Sequence, residues 1–186
     1  MTTRVFIAGS LTIRHLDPKV RARIDNILAQ DFDVVVGDAD GVDASVQRHL
    51  FDHGATRATV YCSGAAPRNN VGRWPVRHVE SRHAKGSRAW FTAKDVRMAE
   101  DADIGLMIWD AKSTGTLNNI VELVSRRKKA VVFIDGAKVF KNVATVGELE
   151  DLVSYMSDEA WRQAADKISL FDRIGRLKHE QAALFA

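Results

Sequence analysis

The sequence predicts a three-layer α/β domain with a mostly parallel sheet of about five strands and a helical extension at the C-terminus. Short apolar runs rich in β-branched residues recur through the first 135 residues, and the first two stop at glycine. Between them lie longer stretches whose apolar residues repeat at the spacing of a helix packed on a sheet. That alternation implies right-handed crossovers and therefore parallel neighbours. At 186 residues, 46% hydrophobic and 27% charged, the chain is one full domain and short for two.

Arg4 to Ala8 is a buried first strand ending at Gly9-Ser10. Asp17-Pro18 is an N-cap followed by proline in the first helical turn, and Val20, Ile24, Ile27 and Leu28 form the inward stripe of that helix. Asp33 to Val36 is a second buried strand, closed by Gly37. A helix from about Asp43 to His53 turns Val46, Leu50 and Phe51 inward, and Gly54 is its stop. Thr56 to Tyr61 is a third strand. Residues 63–88 break the rhythm, with a short strand at Val76–Val79 and then a helix from Arg88 to Ala102. The strongest strand, Ile104 to Trp109, ends at Asp110 and the turn Lys112–Thr116. The next helix aligns Leu117, Ile120, Val121 and Val124, and Ala130–Ile134 is the last strand. This order is Rossmann-like. After Lys141 the chain reads as helices at Val146–Met156, Glu159–Lys167 and Phe171–Phe185. Residues 1–140 are expected to form the Rossmann-like sheet domain, and 141–186 a helical extension packed on the same core or on a dimer partner.

The net charge of +3 is too mild to predict nucleic-acid binding by itself. One cysteine excludes a disulfide framework and fits a reducing compartment. The N-terminus lacks the pattern of a signal peptide or membrane span, so a cytoplasmic protein is expected.

Ligands of parallel sheets sit outside the carboxyl ends of the strands. Three turns belong there: Gly9-Ser10, Gly37 to Asp43, and Asp110 with Ser113-Thr114-Gly115-Thr116. Glycines let backbone amides approach a phosphate, hydroxyls add donors, and a helix N-terminus adds partial positive charge. Candidate ligand-binding residues are Gly9, Ser10, Gly37, Asp38, Gly41, Asp43, Asp110, Ser113, Gly115 and Thr116. Asp43 either bonds a ligand or caps the helix it begins, and its position at the helix start favours the cap.

Asp95 lies on the stripe Phe91, Asp95, Met98 and Ala102, where a carboxylate needs a partner or a cleft. It is the candidate acid near a sugar. Arg68 to Arg88 holds five arginines against one acid, Glu80, and reads either as a solvated loop or as a cover for an anion with Trp74 or Trp90 stacking on a base. Arg126 to Lys129 ends a helix and reads as structural. His49 and His53 have metal-compatible spacing but no third ligand in the sequence, and Cys62 reads as a buried thiol. Neither a metal nor a cofactor is expected.

Two elements together resemble the SLOG superfamily, which contains the cytokinin-activating LOG phosphoribohydrolases and the DNA-processing protein A family. Gly37-Asp38-Ala39-Asp40-Gly41-Val42-Asp43 is similar to its second-strand GGxxGxD element. Ala102-Asp103, the Ile104–Trp109 strand and Ser113-Thr114-Gly115-Thr116 are similar to its phosphate-binding element. Nucleoside deoxyribosyltransferases and nucleoside-monophosphate N-glycosidases share this half of the fold. The resemblance implies a phosphate at Gly115-Thr116 and a ribose or base towards Gly9-Ser10 and Asp95.

In the hydrolytic relatives a glutamate stands three residues after the threonine of that element, and here the position is Asn119. The nearest acid, Glu122, lies about 4.5 Å further along the helix axis. An amide hydrogen-bonds a sugar hydroxyl but is neither nucleophile nor general base. Binding of a nucleotide or phosphorylated nucleoside is therefore the leading expectation, with Asn119 among the ligand contacts. The alternatives are N-glycoside hydrolysis through Asp95 or Glu122, and single-stranded DNA binding through the Arg68–Arg88 loop.

Overall fold

The computed structural model describes residues 2–183. The elements are β1 (Arg4–Gly9), α1 (Pro18–Ala29), β2 (Asp33–Gly37), α2 (Val42–Asp52), β3 (Ala58–Cys62), β4 (Val76–His78) and α3 (Arg88–Asp101). They continue with β5 (Ile104–Trp109), α4 (Thr114–Ser125), β6 (Lys129–Ile134), β7 (Val139–Val143), α5 (Val146–Val153), α6 (Asp158–Ile168) and α7 (Leu170–Ala183). The strands form one seven-stranded sheet in the order β4-β3-β2-β1-β5-β6-β7, parallel except for the β6–β7 hairpin.

Period-two alternation along the central strands builds two separate cores. Val5, Ile7, Val34, Val36, Leu106 and Ile108 point to one face, where Val20 and Ile24 of α1 and Val46 and Leu50 of α2 cover them. Phe6, Ala8, Val35, Met107 and Trp109 point to the other, under Met98 of α3 and Leu117, Ile120 and Val121 of α4. Leu149, Leu152, Ala164, Leu170 and Ile174 of α5, α6 and α7 belong to this second core, so the C-terminal helices pack on the sheet domain itself.

Among the described residues seven strands replace the expected five. The three-residue β4 stands where the sequence suggested a short strand. β7 crosses the expected 140/141 boundary, and its alternation is largely solvent-facing, which hid it. Phe51 is 52% exposed rather than turned inward, since the inward stripe of α2 is Val42, Val46 and Leu50. Phe185, at the end of the expected last helix, lies outside the described residues. Among the described residues no helix is long and apolar enough to cross a membrane.

Candidate functional site at the carboxyl edge of the sheet

From β1 the chain passes outward through β2, β3 and β4, then returns to the opposite side of β1 as β5. The strand order therefore reverses between β1 and β5, and in open parallel sheets the ligand crevice lies outside the carboxyl ends at such a switch point. Two expected turns meet there. Ser10 and Thr116 place their hydroxyl oxygens 3.4 Å apart across the reversal, and Thr116 Oγ1 donates to Ser113 Oγ at 3.2 Å. Ser10 Oγ also accepts from the Asp110 amide at 3.1 Å.

Asp110 holds this turn together. One carboxylate oxygen accepts from the amides of Lys112 (2.9 Å) and Ser113 (2.7 Å), and the other from Thr12 Oγ1 (2.8 Å). Burial pushes its pKa up, but these donors outweigh burial and hold the carboxyl below its usual range. Its oxygens are thus committed to the loop. Ser113 caps α4 by accepting from the Thr116 amide, while the amides of Thr114 and Gly115 belong to the first turn, which has no intrahelical acceptors. A Cβ at Gly115 would meet only Ser113 Oγ, at 3.9 Å, so the approach to these amides is open. Arg88 donates to Thr114 Oγ1 at 3.1 Å, which sets a guanidinium at the positive end of a helix dipole. A cation is disfavoured there unless an anion joins it.

A second cluster lies at the end of β2. Lys94 of α3 is buried, with 5% of its side chain exposed, and its ammonium reaches over the sheet edge to three carboxylates: Asp95 at 2.8 Å, Asp38 at 3.8 Å and Asp43 at 3.9 Å. Gly37 makes this meeting possible, since a Cβ there would land on the Asp43 carboxylate and 2.6 Å from Lys94 Nζ. Arg68 pairs with Asp38 through its side chain (2.8 and 3.2 Å) and its amide (3.1 Å). Burial raises Asp38, but Arg68 and Lys94 more than reverse this and hold it low. Burial acts on Lys94 in the opposite sense, and its three carboxylates keep it firmly protonated. Asp43 is different: burial, helped by Asp95 and Asp38 against Lys94, pushes its carboxyl up to about 7.

Asp95 is therefore an ion-pair partner of Lys94, and the buried face of α3 is Lys94, Met98 and Ala99 rather than a stripe through Phe91 and Asp95. Asp43 is no cap for α2. Gly41 holds the N-cap position, without a side-chain hydrogen bond, and Asp43 accepts from the Ala39 amide at 3.3 Å. The Gly41 backbone (φ 70°, ψ −126°) suits glycine alone, and a Cβ would strike the Leu11 backbone carbonyl. Gly41→Ala is expected to destabilise the fold by about 1–3 kcal/mol, read as a lower Tm in a thermal melt.

Glu122 is remote from the turn. It pairs with Arg126 on its own helix and with Arg173 of α7 at 2.6 Å, about 12 Å along the axis from the start of α4. Asn119 is buried one turn inside α4, and its Oδ1 has no partner among the described residues. Trp74 is not available for stacking, being 7% exposed in the first core with its indole donating to the Ala55 carbonyl at 2.8 Å. Of the loop's arginines, Arg68 and Arg77 are held by Asp38 and Asp101. Lys128 donates to the carbonyls of Ala99 and Glu100, and Arg126 pairs with Glu100, so that basic run ties α4 to the end of α3. Cys62 is buried, and burial raises its thiol above the usual range.

Beside the β2–α2 turn a groove of about 660 Å³ opens between the β1–α1 loop and α2. Arg14, His15, Arg21 and Arg48 line it against Asp40 and Asp52. Sequence inspection missed this basic surface because its cations come from three separate elements.

No protein-family model matches the sequence, and no curated protein matches it. Among solved structures the fold is similar to that of DNA processing protein A from Helicobacter pylori, described for its single-stranded DNA binding mode. The TM-score is 0.54 at 18% identity, with 70% of this chain and 64% of that chain covered. The chain thus matches less than two thirds of that protein's length. The likeness is one of fold: a Rossmann-like domain with a mostly parallel sheet.

Proposed function

We propose that the crevice between β1 and β5 binds the phosphate of a nucleotide or phosphorylated nucleoside. The observation that carries this reading is the contact of Ser10 with Thr116 across the reversal of strand order, which brings the two expected turns together. The open first-turn amides of α4 and the Arg88 guanidinium beside them add the donors and positive charge that an anion requires.

A second reading, single-stranded DNA as the source of the phosphate, is favoured by the basic groove at the same sheet edge and by the structural neighbour. The two readings separate by titration. Calorimetry with a panel of 5′-mononucleotides and their parent nucleosides is expected to show binding that depends on the phosphate, at least tenfold weaker for the nucleoside. With one phosphate contact, affinity should fall about threefold between 50 and 200 mM salt, whereas an oligonucleotide engaging three phosphates should lose about twentyfold. Equal affinity for nucleotide and nucleoside, or no binding of either mononucleotides or oligonucleotides, would refute the phosphate site.

A further inference from the structure

We propose that Asp25, His49 and His53 form a binding site for a divalent transition metal of the Zn²⁺ class, on the surface between α1 and α2. His49 and His53 are four residues apart, so they project from one side of the helix end. Their rings lie with centroids 4.1 Å apart at an interplanar angle of 32°. Asp25, from α1, brings one carboxylate oxygen between them, 2.7 Å from His49 Nε2 and 3.8 Å from His53 Nε2. The three candidate ligand atoms all fall within 4.8 Å of one another. Ligands bound tetrahedrally to Zn²⁺ at its usual nitrogen distance are about 3.3 Å apart, so small side-chain rotations suffice to close the set.

The tautomer of His53 is also set for ligation. Its Nδ1 lies 2.8 Å from the His49 carbonyl oxygen, which only accepts, so in the neutral ring Nδ1 carries the proton and Nε2 the lone pair. His49 Nε2, now the donor to Asp25, releases its proton when the metal takes its place. A backbone carbonyl fixing the outer nitrogen of a histidine ligand is the arrangement that orients imidazoles towards metals. Two imidazoles and a carboxylate suit Zn²⁺ and its neighbours rather than Mg²⁺ or Ca²⁺, which demand oxygen ligands. Three protein ligands leave a fourth position for water or an external group. Asp25 and His53 are about half exposed, so the ion has access, and His49 also lines the basic groove. A His49–Asp25 hydrogen bond formed only for stability would need neither the second histidine nor its fixed tautomer.

The site is independent of the phosphate crevice and is tested separately. Tag-free full chain, stripped with EDTA, is titrated with Zn²⁺ against a chromophoric chelator, and Co²⁺ is added in parallel as a spectroscopic probe. The expected result is one Zn²⁺ per chain with micromolar or tighter affinity, together with the visible bands of tetrahedral Co²⁺. His53→Gln and Asp25→Asn should each weaken Zn²⁺ binding at least tenfold with unchanged circular dichroism. Absence of stoichiometric uptake by the unaltered chain, or undiminished uptake by both variants, would overturn the assignment. His53 and Asp25 are exposed enough that both variants are expected to fold.

Discussion

Lys94→Met is expected to cost about 3–5 kcal/mol of folding stability, the largest effect of any single substitution proposed for this chain. The ammonium is almost fully buried and faces the carboxylates of Asp38, Asp43 and Asp95. Methionine matches the length of the lysine stem but leaves Asp95 without its 2.8 Å partner and removes a cation from two further buried acids. Only Asp38 retains strong compensation, from Arg68. Urea unfolding at pH 7 measures the loss, as a lower midpoint with an unchanged slope. A change below about 1 kcal/mol would mean that Asp38 and Asp95 do not depend on the Lys94 ammonium in the folded protein.

The same cluster sets a pH dependence whose sign follows from Asp43. Its carboxyl titrates near 7 in the fold and near 3.8 in the unfolded chain. Between those values the folded state holds a proton that the unfolded state has released, so stability falls as pH rises from about 4 to 7 and then levels off. Asp43→Asn is expected to flatten that slope in unfolding curves taken across the window. The depressed carboxyls of Asp38 and Asp110 act elsewhere: their contribution is present above the unfolded value and lost in more acid solution.

Gly115→Asp is expected to weaken binding of a phosphate-bearing ligand by at least tenfold, about 1.4 kcal/mol, with no loss of stability. The new Cβ meets only Ser113 Oγ, so nothing is displaced. A carboxylate in the first turn of α4 is favourable to the helix by about 0.3–1 kcal/mol, so Tm should hold or rise slightly. It occupies the place of the ligand's negative charge and repels it. Gly115→Ala, which adds bulk without charge, serves as the control and should bind nearly as the unaltered chain does. If Gly115→Asp bound the same nucleotide within twofold of the original, the turn would have no part in the site.

What could be seen in the sequence was local. The turn Ser113-Thr114-Gly115-Thr116 is a contiguous stretch between a strand and a helix, and the central strands are near-continuous apolar runs, so both were legible in the sequence. What escaped depends on contacts between distant segments. Lys94 reads as an ordinary solvated lysine on a helix, since its burial makes sense only once Asp38 and Asp43 arrive from the β2–α2 connection. Asp25 lies 24 residues before His49, so the histidine pair looked incomplete along the chain. Trp74 stood in a polar loop and suggested a stacking platform, but the loop folds back and buries it against Ala55.

The ion pair of Glu122 with Arg173, together with the Asn118–Arg173 hydrogen bond at 2.6 Å, joins the middle of α4 to the last helix. The helix whose first turn faces the crevice is thus gripped from behind by the far end of the chain. Opening of the C-terminal helices would uncover the apolar back of α4 and loosen the hydroxyl turn with it. Amide protons of the hydroxyl turn and of α7 (Leu170–Ala183) should accordingly exchange as one cooperative unit.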